Sequence, residues 1–215
     1  MIDWLSKIKE LDVEASIGEI ISSSNLSFKF QVYNLEKSPE YSSIVIVLAG
    51  KILINGVVTN IQMNPKDALA QEIPSPLKRT REQIEKDYAD IKDKLIITCE
   101  AAIIGYYENG RFYQKRPRHI PWIHDLVFQP SYQYIRDFHI INNHYKLSYL
   151  PLIYDSLSRE EKASFGFFVD TFIGYISQFF EREEMDKIIK DAQESLILNG
   201  LDFLIEKLNE IYINL

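Results

Sequence analysis

The stretch Leu26–Tyr33 constrains the fold most, because its side chains alternate without a break. Leu26, Phe28, Phe30 and Val32 fall on one face, and Ser27, Lys29 and Gln31 on the other. Successive side chains of a strand point to opposite sides, so this is a strand with one buried face. A second stretch carries a different signature. Ile44-Val45-Ile46-Val47-Leu48 is apolar throughout, as expected of a central, buried strand. Between them Asn34–Glu40, with Pro39, reads as a loop. Ser16–Ile21 is a further strand, turned by Ser22-Ser23-Ser24-Asn25. Gly50 permits a bend into Lys51–Gln62, where Gly56 marks a bulge or a close approach. Leu95–Tyr107 and Arg111–Gln114 form a hairpin around Asn109-Gly110, a pair that tolerates positive φ. Asp125–Gln129 is the closing strand, and closure removes the open sheet edges that invite aggregation.

The period changes twice. Within Ser75–Lys94, Ile84, Tyr88 and Ile91 form a helical stripe, and Thr80 with Gln83 has the spacing of a capping box. After about Ser131 the chain reads as helix. Tyr132–His139 and Lys146–Leu157 are modest helices, the second limited by Pro151. Ser158 and Glu161 cap an apolar helix through Phe165, Phe168, Val169, Phe172, Ile173, Ile176, Phe179 and Phe180. Glu183–Leu198 and Leu201–Ile213 form a helical hairpin turned by Asn199-Gly200. Asp3–Leu11 is a short amphipathic helix with Trp4, Leu5, Ile8 and Leu11 on one side, either capping the barrel or docking elsewhere. The expected class is α+β: a small antiparallel β-barrel over residues 1–130, with a helical insertion at about 76–94, followed by a C-terminal helical domain over 131–215.

Charge is distributed unevenly. Residues 1–72 carry 6 basic and 9 acidic side chains, residues 73–136 carry 11 and 8, and residues 137–215 carry 7 and 14. The total of −7 opposes sequence-independent nucleic-acid binding over the whole surface and leaves the middle segment as the place for phosphate contact. One cysteine, Cys99, excludes an intrachain disulfide and is expected to be buried and inert. Met1–Lys9 has no apolar signal core, and no apolar run reaches membrane-spanning length, so a soluble, cytoplasmic protein is expected.

Catalytic motifs are missing. Gly50-Lys51 lacks the spacing of a phosphate-binding loop, and neither GxSxG nor HExxH occurs. His119, His124, His139 and His144 fall in pairs five apart, off a common helical face, and are read as polar surface or supporting residues. No cofactor is expected. Glu181, Glu183, Glu184 and Asp186 are the acids that a metal-dependent nuclease would use, but acids are favoured at a helix start in any case. Candidate contact residues are basic: Lys78, Arg79 and Arg81 before the inserted helix, and Arg111, Lys115, Arg116 and Arg118 around Pro117. Trp122 would stack on a base or plug a subunit contact. The alternative reading of the same loop is a stiff connection with solvated bases.

Several of these stretches carry a resemblance. Ile17-Gly18-Glu19-Ile20-Ile21-Ser22-Ser23-Ser24-Asn25, with Phe28-Lys29-Phe30-Gln31-Val32, resembles the opening of the HAS-barrel, the N-terminal barrel of HerA-type DNA-translocating ATPases. Gly56-Val57-Val58 within Ile52–Ile61 resembles the following strands. Ala101-Ala102-Ile103-Ile104-Gly105-Tyr106-Tyr107, with Arg116-Pro117-Arg118 and Pro121, resembles the last strands and exit loop. The resemblance covers Val13–Gln129. It implies assembly into rings and contact with accessory proteins such as the NurA nuclease. It brings no catalytic residue, and the stretch after Gln129 reads as helices rather than as a RecA-like motor. The expected role is therefore a non-enzymatic adaptor of a HerA-like DNA-processing machine, through a protein partner or self-association. Direct DNA binding by the basic loop and a metal-dependent nuclease are the alternatives.

Overall fold

The computed structural model describes residues 2–66, 78–87 and 92–213. Its centre is a closed, six-stranded antiparallel barrel. The strands are β1 (Gly18–Ser23), β2 (Ser27–Val32), β3 (Ile44–Ala49), β4 (Ile52–Pro65), β5 (Leu95–Glu108) and β7 (Leu126–Phe128). They run β2-β1-β7-β3-β4-β5, and β5 returns to β2 to complete the ring. The short strand β6 (Arg111–Tyr113) pairs with the end of β5, outside the ring.

The strand patterns follow from what lies on each side of the wall. Phe28, Phe30 and Val32 of β2 enter the barrel and meet Val45, Val47, Ile54, Cys99, Ala101 and Ile103. Each large apolar side chain buried this way contributes about 1.5–3 kcal/mol. In β3 the intervening residues are covered from outside. Ile46 packs under helix α1 (Trp4–Lys9) together with Trp4 and Ile8, whereas Ile44 packs under the C-terminal helices. Two-sided cover explains the unbroken apolar run. The α1 segment thus caps the barrel wall, with Asp3 accepting bonds from the amides of Leu5 and Ser6. Gly56 combines both features expected of it. The β4–β5 register shifts between Asn55 and Gly56, and a Cβ there would lie 2.6 Å from the Phe28 ring.

The serine turn after β1 starts two residues later than expected: Ser22 and Ser23 extend the strand, and Ser24 Oγ accepts from the amides of Leu26 and Ser27. In the insertion, helix α2 (Arg81–Asp87) is preceded by the Thr80–Gln83 capping box. Residues 76–77 and 88–91 of the predicted excursion, with Tyr88 and Ile91 of its stripe, lie outside the described residues.

Helix α3 (Tyr132–His139) follows the barrel with the predicted bounds. The next segment departs from expectation. Ile140–Ile141 (β8) and His144–Tyr145 (β9) form a small hairpin, so the helix expected from Lys146 is only α4 (Leu150–Ser156). Pro151 sits in its first turn, where a missing amide costs nothing, and so it opens the helix rather than limiting it. Ser158 and Glu161 do form a capping box, but for the short α5 (Arg159–Ala163); the chain bends at Ser164 before the apolar α6 (Phe165–Ser177). Helices α7 (Arg182–Leu198) and α8 (Ile205–Ile213) complete the tail, a 3₁₀ turn at Asp202–Leu204 replacing the first turn expected of α8. These helices bury Phe168, Phe172, Ile173 and Leu150 in one cluster with Ile44, Val57, Ala102 and Ile104 of the barrel wall. Among the described residues no helix is long and apolar enough to cross a membrane.

Candidate functional site

The β5–β6 hairpin organises the polar surface. Its turn, Asn109-Gly110, has φ of 50° and 78°, the left-handed values of a tight two-residue turn. Alternation along the strands sends Tyr106 and Tyr113 to one face and Tyr107 and Phe112 to the other. On the first face Tyr106 and Tyr113 stack with centroids 4.9 Å apart, and the Lys115 ammonium lies 5.2 Å from the Tyr113 ring. Lys115, Arg118 and His119 share a groove of about 340 Å³ with these rings.

Just beyond, the β6–β7 loop is fastened to β1. Ser23 Oγ donates to the Pro121 carbonyl (2.6 Å), the His124 amide donates to Ile20 (2.9 Å), and the Ile20 amide donates to Asp125 (3.0 Å). The Asp125 carboxylate accepts from the Trp122 amide at 2.7 Å, with its pKa raised by burial. His124, at φ 73°, places Nδ1 3.2 Å from Glu19 Oε2. This fixed loop holds Trp122 78% exposed and Ile123 59% exposed, with Ile120 also outward. Ile21 of β1, at a bulge in the β1–β2 register, is exposed as well.

The predicted contact residues therefore separate. Lys78, Arg79 and Arg81 flank the start of α2, and Arg79 pairs with Asp87. That helix precedes β5, a 14-residue strand spanning up to about 45 Å, and Arg111 follows its far end. Arg116 is tied to the helical tail, its guanidinium 3.3 Å from Asp155, with a buried Nε that has no hydrogen-bond partner among the described residues. Lys115 and Arg118 share the aromatic groove, and Trp122 stands further along the same loop.

The remaining titratable candidates hold the fold together. Cys99 lies inside the barrel, where burial raises its thiol to about 11. His139 is fully buried and takes the supporting role, one of the two expected for the histidines. Its Nδ1 lies 2.7 Å from the Ile135 carbonyl and must donate; Tyr149 then donates to Nε2 at 2.6 Å. The sequence left surface and supporting roles open, because a lone histidine at the end of an amphipathic helix carries no burial signal of its own. In the acidic cluster, Glu184 accepts both guanidinium nitrogens of Arg136 (2.8 and 3.0 Å) and the Tyr145 hydroxyl (2.7 Å). Hydrogen bonds from Arg136 hold its carboxyl down at about 2. Asp186 accepts from Tyr212, and Glu181 caps α7. Among the described residues no group of three or more His, Cys, Asp or Glu side chains is placed to hold a metal ion. No family model matches the chain, and no curated protein matches it.

Proposed function

We propose that this protein is a non-enzymatic adaptor that docks through its β6–β7 loop onto a component of a HerA-like DNA-processing machine. The observation that supports docking is Trp122, a large apolar side chain held outward by a loop with four fixed hydrogen bonds. Tryptophan is enriched among residues that dominate binding energy, and a loop already ordered loses little entropy on association. Lys115, Arg118 and His119 lie earlier in the same loop and favour an acidic rim on the partner. The class of partner, a translocating ATPase or its NurA-like nuclease, is taken from the sequence resemblance over Val13–Gln129.

Affinity capture from native lysate, with mass spectrometry of the bound proteins, tests this reading. The intact chain is expected to retain such an ATPase or nuclease, and Trp122→Ser is expected to lose it. Equal recovery by both forms removes the loop from the interface. A monomer by light scattering that retains neither protein removes the adaptor role.

The stacked Tyr106–Tyr113 pair beside Lys115 and Arg118 supports a second reading, contact with single-stranded DNA through stacking and phosphate pairing. Fluorescence anisotropy of a labelled oligonucleotide is then expected to show binding that weakens with salt and with the Lys115→Ala, Arg118→Ala double substitution. Absence of binding at low salt eliminates it.

A further inference from the structure

The outer edge of the β5–β6 hairpin, with its Tyr107–Phe112 face, borders a second groove that none of the readings above uses. A cavity of about 510 Å³ lies between the hairpin, α3 and the β8–β9 turn, walled by Trp4, Tyr107, Phe112, Ile140 and Ile141. Its size is that of a ligand pocket. Past Ile2 and Gly110 it adjoins a cavity of about 580 Å³ reached by Lys9 and Lys51. The backbone beside it is incomplete. In a hairpin with a two-residue turn, the flanking pair Glu108–Arg111 exchanges hydrogen bonds, and the next pair, Tyr107–Phe112, does not. The amide and carbonyl of Phe112 therefore point away from β5. Strand β6 ends the sheet, and these two groups have no hydrogen-bond partner among the described residues. Beyond Tyr113 the edge is closed, because the Gln114 side chain bridges to the carbonyls of Phe138 and Lys146.

Charge sets the kind of occupant. Arg111, Lys9 and Lys51 are exposed and make no ion pair among the described residues. The two carboxylates of the groove are already engaged. Asp137 accepts from Trp4 Nε1 (2.9 Å) and Gln133 Nε2 (2.7 Å), and Asp3 caps α1 and accepts from Ser6 Oγ (2.6 Å). We propose that this groove binds an extended acidic peptide segment of a partner protein. Its backbone pairs with Phe112 on the free edge of β6, one apolar side chain enters the cavity, and acidic side chains meet Arg111 and Lys51. Strand addition of this kind takes affinity from the main chain and selectivity from alternate side chains. The inference does not depend on the Trp122 loop.

The test is to pan the full chain against a random heptapeptide phage library and measure the selected peptides by fluorescence polarisation. The expected selection is rich in Asp and Glu around one apolar residue. Arg111→Glu with Lys51→Glu, both at exposed positions, is expected to weaken binding by about tenfold or more. Trp122→Ser is expected to leave it unchanged. Scanning the peptide with N-methylated amides is expected to abolish binding at alternate positions only, which charge attraction alone does not produce. Three results overturn the proposal: no selected peptide or no acidic enrichment, affinity within about twofold after charge reversal, or an N-methyl scan without alternation.

Discussion

His139 shows how much a single side chain sets the behaviour of this protein with pH. Full burial lowers its pKa from an ordinary 6.5 to about 4, although its bond to the Ile135 carbonyl favours the protonated ring. The folded chain therefore keeps a neutral imidazole between those values while the unfolded chain takes up a proton. Stability is complete above the unfolded value and falls as pH drops from 6.5 toward 4, by about 3 kcal/mol in all. The upper half of this window precedes the titration of most carboxylates. Urea melts between pH 7 and 5 are expected to show the loss in the native chain and a flatter profile in His139→Gln. An unchanged slope in the variant would falsify the assignment. Gly56 is the second residue of this kind, for steric reasons. A methyl group there would overlap the Phe28 ring at 2.6 Å and crowd Ala101 at 3.1 Å. Gly56→Ala is expected to lower stability by about 1–3 kcal/mol, since a packed interior does not yield to an added methyl. A melting temperature equal to that of the native chain would contradict it.

At the scale of elements, α3 is the piece that joins the two halves. Tyr134 donates to Asn55 of β4 at 2.6 Å, and Trp4 and Gln133 converge on Asp137. On the opposite side, Arg136 donates to the Phe179 carbonyl and grips Glu184 of α7 with both nitrogens. Both partners of the pair are less than a quarter exposed. Glu184 has a depressed pKa, so its contribution is present above the ordinary 4.5 and is lost as pH falls toward about 2. Allowing for the solvent that reaches the pair, it is worth about 2 kcal/mol. Arg136→Lys is expected to lose about half of that, because an ammonium cannot form the two-point contact. Destabilisation of the same size at pH 2 and pH 7 would sink this account. Element legibility divided along physical lines. The barrel strands were readable because each has a fixed inside, and α3 because Tyr134, Ile135 and Phe138 share one face. The β8–β9 hairpin was missed although Asn142-Asn143, both with positive φ, is a usable turn signal. Its strands are two residues long, too short for any period to show. The contact surface was less legible than the fold. Clustered bases in the sequence said nothing of Arg116 turning to Asp155, and the open edge at Phe112 exists only once the register of β6 is known.

For the whole molecule, the decisive feature is where the apolar surfaces end. The sequence divides near residue 130, but the largest apolar cluster does not. Ile44, Val57, Ala102 and Ile104 belong to barrel strands and are buried by Phe138, Tyr149, Leu150 and the α6 phenylalanines. The barrel wall without the helices would expose these residues, and α6 without the wall would expose Phe168 and Phe172. Neither part covers all of its apolar surface by itself, so their unfolding is expected to be coupled. Calorimetry of the full chain is expected to give one transition whose calorimetric and van't Hoff enthalpies agree. Near-UV circular dichroism, which reads Trp4 and the barrel tyrosines, is expected to change at the same temperature as far-UV helicity. Phe172→Ala, deep in the helical part, is expected to cost about 3–5 kcal/mol and to move both signals together. Helicity lost first, with the near-UV signal intact, would instead mean that the barrel stands on the inner residues Phe28, Phe30 and Val47 alone. The shared wall also bears on docking. Trp122 stands on a loop fastened to β1, so a partner gripping it would pull on the barrel itself, and binding is expected to raise the temperature of that single transition as a whole.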